Sequence, residues 1–354
     1  MPVFLDRGKF KPRLFVANER KAVLPMNSEA IPKDCIEIAL VNNMPDLALE
    51  QTERQILKLL DAAAGHHVVQ LKLFAMSDLP RSEFGRAHLR KLHYHDVDDL
   101  SRTPVHAMII TGAEPRAPRL KAEPYWHSLT DVFDWANDNT VSTICSCLAV
   151  HAAVLHFDEI DRRTLKKKCF GVFEFEQVYH SRLLDGVAPR FQMPHSRLNQ
   201  ITEADLRSAG YAVLSMGDQG VDTFIKPKKS LFVFFQGHPE YEAWTLLGEY
   251  RRDIGRYLVG EQPDYPNVPA GYFDKQSISA LNTFKTQALQ CRQKDLMASF
   301  PTDQLSGRLT DHWRDNAAKI YANWLELIHA QTGKRKVNKD GLARLGLANG
   351  AARP

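Results

Sequence analysis

Apolar positions recur along this chain in two alternating rhythms. Ile36–Val41, residues 68–74, 107–110 and 141–145, and Leu231–Phe235 are short runs of nearly continuous apolar side chains. That is the pattern of strands buried on both faces. Between them lie segments of helical spacing. Residues 47–63 place Leu49, Ile56, Leu57, Leu59 and Leu60 on one face, 126–136 is amphipathic, and 148–157 reads as a helix with small residues near its start. Strands alternating with helices predict an α/β fold, a mostly parallel sheet flanked by helices on both faces. In such sheets the chemistry gathers at the carboxyl ends of the strands.

The ends of the chain break the rhythm. Residues 1–34, with Pro12, Pro25 and Pro32, read as an irregular N-terminal arm ahead of a catalytic domain over 35–262. Residues 263–333 form a helical C-terminal extension expected to pack on that domain, with helices over 277–298 and 311–331. The glycine- and alanine-rich basic stretch 334–354 is expected to be a flexible tail.

Composition narrows the chemistry. The 354 residues are 44% hydrophobic and 25% charged, ordinary for a globular protein. With 46 basic against 42 acidic residues, and basic blocks only at 166–168, 226–229 and the tail, no nucleic-acid partner is expected. No run approaches the ~20 apolar residues of a membrane span, and the first residues do not read as a signal peptide. The five scattered cysteines fit a reduced, cytoplasmic protein, and Cys145 with Cys147 are too few for a zinc site, so no metal is expected.

Two turns carry the candidate chemistry. Val141-Ser-Thr-Ile-Cys-Ser-Cys147-Leu-Ala-Val-His151 runs from a strand straight into a helix. A nucleophile at that junction is held out on a sharp turn, beside backbone N–H groups and the positive end of a helix dipole. Both lower a thiol pKa and can hold an oxyanion. A free cysteine is as readily a small buried hydrophobe, and Cys145, still in the strand, reads as structural. Gln236-Gly-His-Pro-Glu-Tyr241 follows the other strand. There Glu240 can accept the ring N–H of His238 and hold the tautomer that takes a proton from Cys147.

These residues, with others in the same order, resemble the homoserine O-succinyltransferases, within the class I glutamine-amidotransferase-like superfamily. The matching segments are Asn43-Met-Pro45, Ile110-Thr-Gly-Ala113, Tyr125-Trp126, Ser142-Thr143, Cys147 with Ala149-Val150, Gly171-Val-Phe-Glu174, Pro194-His-Ser-Arg197 and Gly237-His-Pro-Glu-Tyr241. Val268-Pro269, Tyr272-Phe273, Trp313-Arg314 and Asn323-Trp-Leu325 continue the match. The resemblance implies a glutamine-amidotransferase-like fold and a ping-pong reaction. Cys147 takes an acyl group from acyl-CoA, succinyl-CoA favoured, and passes it to the hydroxyl of homoserine for methionine biosynthesis. It implies His238 as base, Glu240 as its orienter, and Lys168, Ser196 and Arg252 as contacts to the amino-acid substrate. Acyl-CoA is then a co-substrate, with no cofactor bound. The family is commonly dimeric, so a homodimer is an expected state, with Trp313 and Trp324 either at an interface or in the core.

The chain also departs from its relatives. The family's donor-selecting position falls on Arg116, where glycine accompanies succinyl transfer and glutamate acetyl transfer. Arginine there either pairs with the free carboxylate of a succinyl group or fills the pocket. Leu148 stands where the family usually has tryptophan. The alternatives are an acetyl donor, serine or another hydroxy amino acid as acceptor, a Cys-His-Glu amidotransferase or hydrolase, and a non-catalytic relative. Against an amidotransferase, residues 144–149 lack the glycines of its usual nucleophile turn.

Overall fold

The computed structural model describes residues 3–7, 10–15, 23–25, 32 and 34–332. The tail expected over 334–354 lies outside them. The strands, in chain order, are β1 (Val3–Arg7), β2 (Phe10–Phe15), β3 (Val23–Pro25), β4 (Ile36–Val41), β5 (Val69–Ala75), β6 (His95–Asp96), β7 (Ala107–Ile110) and β8 (Ser142–Ser146). They continue with β9 (Arg163–Gln177), β10 (Arg190–Gln200), β11 (Ala212–Val213), β12 (Ser215–Gly217), β13 (Gly220–Val221), β14 (Thr223–Pro227) and β15 (Leu231–Phe235). The helices are α1 (Leu49–Ala63), α2 (Glu83–Leu92), α3 (Trp126–Asn139), α4 (Leu148–Asp158), α5 (Glu203–Ser208), α6 (Thr245–Leu258), α7 (Lys275–Gln290), α8 (Thr302–Ser306) and α9 (Arg314–Thr332).

The main sheet runs β11-β14-β15-β8-β7-β4-β5-β1-β2-β3, with β6 beside β5. Pairing is parallel from β15 through β8, β7, β4 and β5 to β1, and antiparallel at both ends. The expected α/β architecture is therefore present, with antiparallel margins. The lead-in expected to be irregular supplies three of those strands, and Val3 and Phe4 are buried.

Successive strand residues point to opposite faces, and here both faces are covered. Ile36, Ile38 and Leu40 of β4, with Leu231, Val233 and Phe235 of β15, join one core with Ile56 and Leu60 of α1 and Trp324 and Ile328 of α9. Their neighbours Ala39, Val41, Phe232 and Phe234 face the other way, onto Phe133 of α3 and Val150 and Val154 of α4. A third core joins Tyr250 and Ile254 of α6 to Leu281 and Phe284 of α7 and to Trp313. Both tryptophans considered for an interface are thus core residues, 2% and 1% exposed.

A second, antiparallel sheet in the order β10-β9-β12-β13 was not apparent from the apolar pattern. The 15-residue β9 is exposed over much of its first half, so its sequence lacks a clean alternation. This sheet brings Lys168 and Ser196 toward the edge where β8 and β15 end. The helix expected over 277–298 stops at Gln290 and gives way to a 3₁₀ segment, Lys294–Ser299.

Candidate functional site

β8 and β15 are adjacent, parallel and in register, with Ser146 opposite Phe235. The residues that follow each strand must therefore emerge side by side. The Cys147 N–H bonds the Phe235 carbonyl at 3.3 Å, which ties the two turns together. Cys147 itself sits at φ 57°, ψ −124°, between β8 and the first residue of α4. A side-chain-bearing residue is strained there, and such strain is held only where the surroundings impose it. The turn after β7 closes against this junction. A Cβ on Gly112 would lie 2.5 Å from the Leu148 nitrogen, so only glycine admits that approach.

His238 is 4% exposed, and its Nδ1 lies 2.8 Å from Glu240 Oε1. Its Nε2 is buried and makes no hydrogen bond among the described residues, although the Cys147 thiol is near enough to favour ring protonation. Burial alone would lower the histidine pKa. The Glu240 charge and the Cys147 sulfur outweigh it and hold the value well above the usual one. Tyr241 stacks on the imidazole, ring centroids 4.1 Å apart, and its carbonyl accepts the Trp313 indole N–H at 2.9 Å.

A fully buried network lies beneath this turn. The His238 N–H bonds the Pro194 carbonyl at 2.9 Å. The neighbouring His195 accepts from Arg197 Nε on Nδ1 at 3.2 Å and turns Nε2 to within 3.2 Å of Asp222 Oδ1. An occupied Nδ1 lone pair leaves the proton of neutral His195 on Nε2, toward Asp222. Burial pushes the His195 pKa down despite the carboxylate. Asp222 also accepts from Ser215 at 3.0 Å and Thr223 at 2.7 Å. Gly237 packs against this network so closely that a Cβ would meet Asp222 Oδ1 at 2.6 Å.

Lys168, Ser196 and Arg252 come from β9, β10 and α6, and the fold brings all three together. Lys168 Nζ bonds Asp253 Oδ2 at 2.9 Å and lies 3.7 Å from Glu249 Oε2. Ser196 donates to Glu249, as does the Tyr241 hydroxyl. Arg252 Nη2 bonds Asp253 Oδ1 at 2.9 Å and lies 3.7 Å from Glu249. Burial tends to raise the Asp253 pKa, but Lys168 and Arg252 hold it below the ordinary carboxylate value. Glu249, Asp253 and Tyr241 were not among the expected site residues, although Tyr241 closes the Gly237–Tyr241 match and the charged run 249–253 suggests pairing along the helix of Arg252.

Arg116 is exposed, and its backbone N–H and that of Ala117 both bond Glu123 Oε1 at 2.6 Å. The Glu123 carboxylate thus shapes the loop that carries it. Among the other cysteines, Cys35, Cys145 and Cys169 are buried and Cys291 is exposed. Burial pushes the Cys35 thiol up to about 12 and raises that of Cys145 further. No helix of the described residues is long and apolar enough to cross a membrane.

The family model for homoserine O-succinyltransferase matches residues 12–335. A homoserine O-succinyltransferase of Rhodopseudomonas palustris is 47% identical over 291 residues, 82% of this chain and 87% of that protein. Another from Bradyrhizobium japonicum is 44% identical over 309 residues, 86% of this chain and 94% of that one. Among solved structures, a glutamine amidotransferase of Methylobacillus flagellatus aligns at a TM-score of 0.45 and 11% identity, covering 83% of this chain and 94% of its own.

Proposed function

Because this chain belongs to the homoserine O-succinyltransferase family, we propose that it moves a succinyl group from succinyl-CoA, through a Cys147 thioester, to the hydroxyl of L-homoserine. The product, O-succinylhomoserine, serves methionine biosynthesis. The observation that carries this reading is the buried His238, its Nδ1 on Glu240 and its Nε2 free beside Cys147.

In the first half-reaction the Cys147 sulfur attacks the thioester carbonyl, and its proton resides on His238 Nε2. The negative oxygen that develops sits against the amino end of α4. The carbon–sulfur bond to coenzyme A breaks, and His238 returns the proton to the leaving thiolate. In the second, His238 takes the proton of the homoserine hydroxyl, whose oxygen attacks the acyl group and releases Cys147. Glu240 holds the imidazole tautomer and stabilises its charged form in both halves.

Homoserine is a zwitterion, and the charged patch beside the triad has complementary groups. Its carboxylate would meet Lys168 and Arg252, while its ammonium would meet Glu249 and Asp253. Ser196 holds Glu249 in place for that contact. The cations and anions of the patch now pair with one another, and the substrate exchanges those partners for its own. Arg116 would face the far carboxylate of the succinyl group, which favours that donor over acetyl.

Intact-protein mass spectrometry after incubation with succinyl-CoA or acetyl-CoA tests this directly. A succinyl adduct on Cys147 that homoserine discharges is expected. No adduct with either donor, together with glutaminase activity, would overturn it.

A further inference from the structure

We propose that His66, His67 and Glu326, with His329 as a fourth ligand, bind one divalent transition-metal ion of the zinc class at the junction of α1 and α9. This site lies apart from the triad and plays no part in the acyl-transfer steps.

The first three side chains each offer a ligand atom, and all these atoms lie within 4.8 Å of one another. His67 Nε2 is 2.9 Å and His66 Nε2 3.9 Å from Glu326 Oε1. Tetrahedral zinc with bonds of about 2.0–2.2 Å places its donors roughly 3.3–3.6 Å apart. Small shifts would close the set, and His66, with 73% of its side chain exposed, is free to make one. The turn between α1 and β5 is already held, because the His67 N–H bonds the Ala64 carbonyl at 2.8 Å.

His329 supplies the independent observation. It lies one turn beyond Glu326 on α9, with its ring centroid 4.7 Å from that of His67 and 6.5 Å from that of His66. Among the described residues its Nδ1 is buried without a hydrogen-bond partner. A hydrogen bond between His67 and Glu326 explains those two residues alone. It does not explain why His66 approaches the same carboxylate, or why the His329 ring packs against His67 with a buried nitrogen left over. A shared cation does, because neutral imidazoles supply lone pairs and Glu326 supplies charge.

The donor set selects the ion. Several nitrogens and one carboxylate suit zinc and its neighbours, whereas magnesium and calcium prefer oxygen ligands and water. With its ligands drawn from the α1–β5 turn and from α9, the ion would staple α9 to the sheet. That helix carries Trp324, whose indole N–H donates to Ser142 Oγ at 2.9 Å, at the start of the strand leading to Cys147. Binding to the native state alone would raise stability by mass action.

The full-length protein, stripped with EDTA, should be titrated with zinc sulfate by calorimetry and followed by thermal unfolding. One equivalent should bind, the unfolding midpoint should rise, and magnesium should do neither. His66→Ala and Glu326→Gln alter exposed side chains and should fold, yet each should weaken zinc binding at least tenfold. The Cys147→Ser/Cys291→Ser double variant should bind as the parent does. No binding, binding indifferent to His66→Ala and Glu326→Gln, or binding lost with the cysteines would each overturn the proposal.

Discussion

The triad and the charged patch beside it are built in opposite ways. Cys147, His238 and Glu240 lie on two turns that leave neighbouring parallel strands at the same level, so sheet register alone brings them together. His238 and Glu240 are buried, and the partly exposed Cys147 is locked in a strained backbone. Lys168, Ser196, Glu249, Arg252 and Asp253 come from three elements, with the Arg252 side chain half exposed, and are held by mutual ion pairs. The first region is preorganised by covalent connectivity and hydrogen bonds. The second is an arrangement of charges held by side chains alone. On the proposed function, chemistry that tolerates little misplacement rests on the sheet, and recognition on side chains able to exchange partners.

That contrast can be broken from either side. Cys147→Ser should have the largest effect, lowering succinyl transfer by about a thousandfold or more and abolishing the adduct. Cys145→Ser, two residues away, should still acylate, although a hydroxyl in that fully buried place should lower the thermal midpoint. Mass spectrometry and thermal unfolding check the pair.

Glu240→Gln should cost roughly 10²–10⁴-fold in kcat, the range of general acid–base catalysis. It should also shift the histidine titration. His238 is raised above its unfolded value of about 6.5. Its protonated form therefore stabilises the fold fully below that pH, and this contribution fades as pH climbs through the raised native value. Without Glu240 the native value should drop, and the fading should move to lower pH. Imidazole NMR and unfolding midpoints between pH 5 and 9 read both.

Gly112→Ala should sharpen the distinction, since it touches no reacting group. The added methyl meets the Leu148 nitrogen at 2.5 Å and must displace the nucleophile turn. A loss of about a hundredfold in the acylation rate is expected, as for misplacements of about 1 Å, with little change in homoserine KM. An unchanged acylation rate would mean that the turn is not held from this side.

Arg252→Ala should do the reverse, raising homoserine KM by roughly tenfold, an estimate from the worth of a charge-assisted hydrogen bond. The rate of acylation by succinyl-CoA, measured alone by stopped flow, should stay close to the parent. Arg116→Ala should be the mildest change. Because this side chain is exposed, its pairing with a donor carboxylate should alter the succinyl-to-acetyl preference by only about two- to fivefold.

Much of the fold was legible because its signals are local. Buried parallel strands announce themselves as apolar runs, as Ile36–Val41 and Leu231–Phe235 do. The nucleophile turn is visible as a strand passing into a helix of small residues. The second sheet was not legible, because β9 is exposed over much of its first half and shows neither rhythm.

By itself, then, the sequence determined the strand–helix alternation, the place of Cys147 at a strand-to-helix junction and the short reach from His238 to Glu240. These depend on contacts a few residues apart and on the rule that parallel strands end together. Only the tertiary structure decided that Ser196 would hold Glu249, and that His195 and Asp222 would meet beneath Gly237. It alone gathered His66 and His67 at Glu326, with the His329 ring against that of His67. Those partners lie tens to hundreds of residues apart, and no local periodicity encodes them. They meet because the cores on both faces of the sheet leave their elements one way to pack.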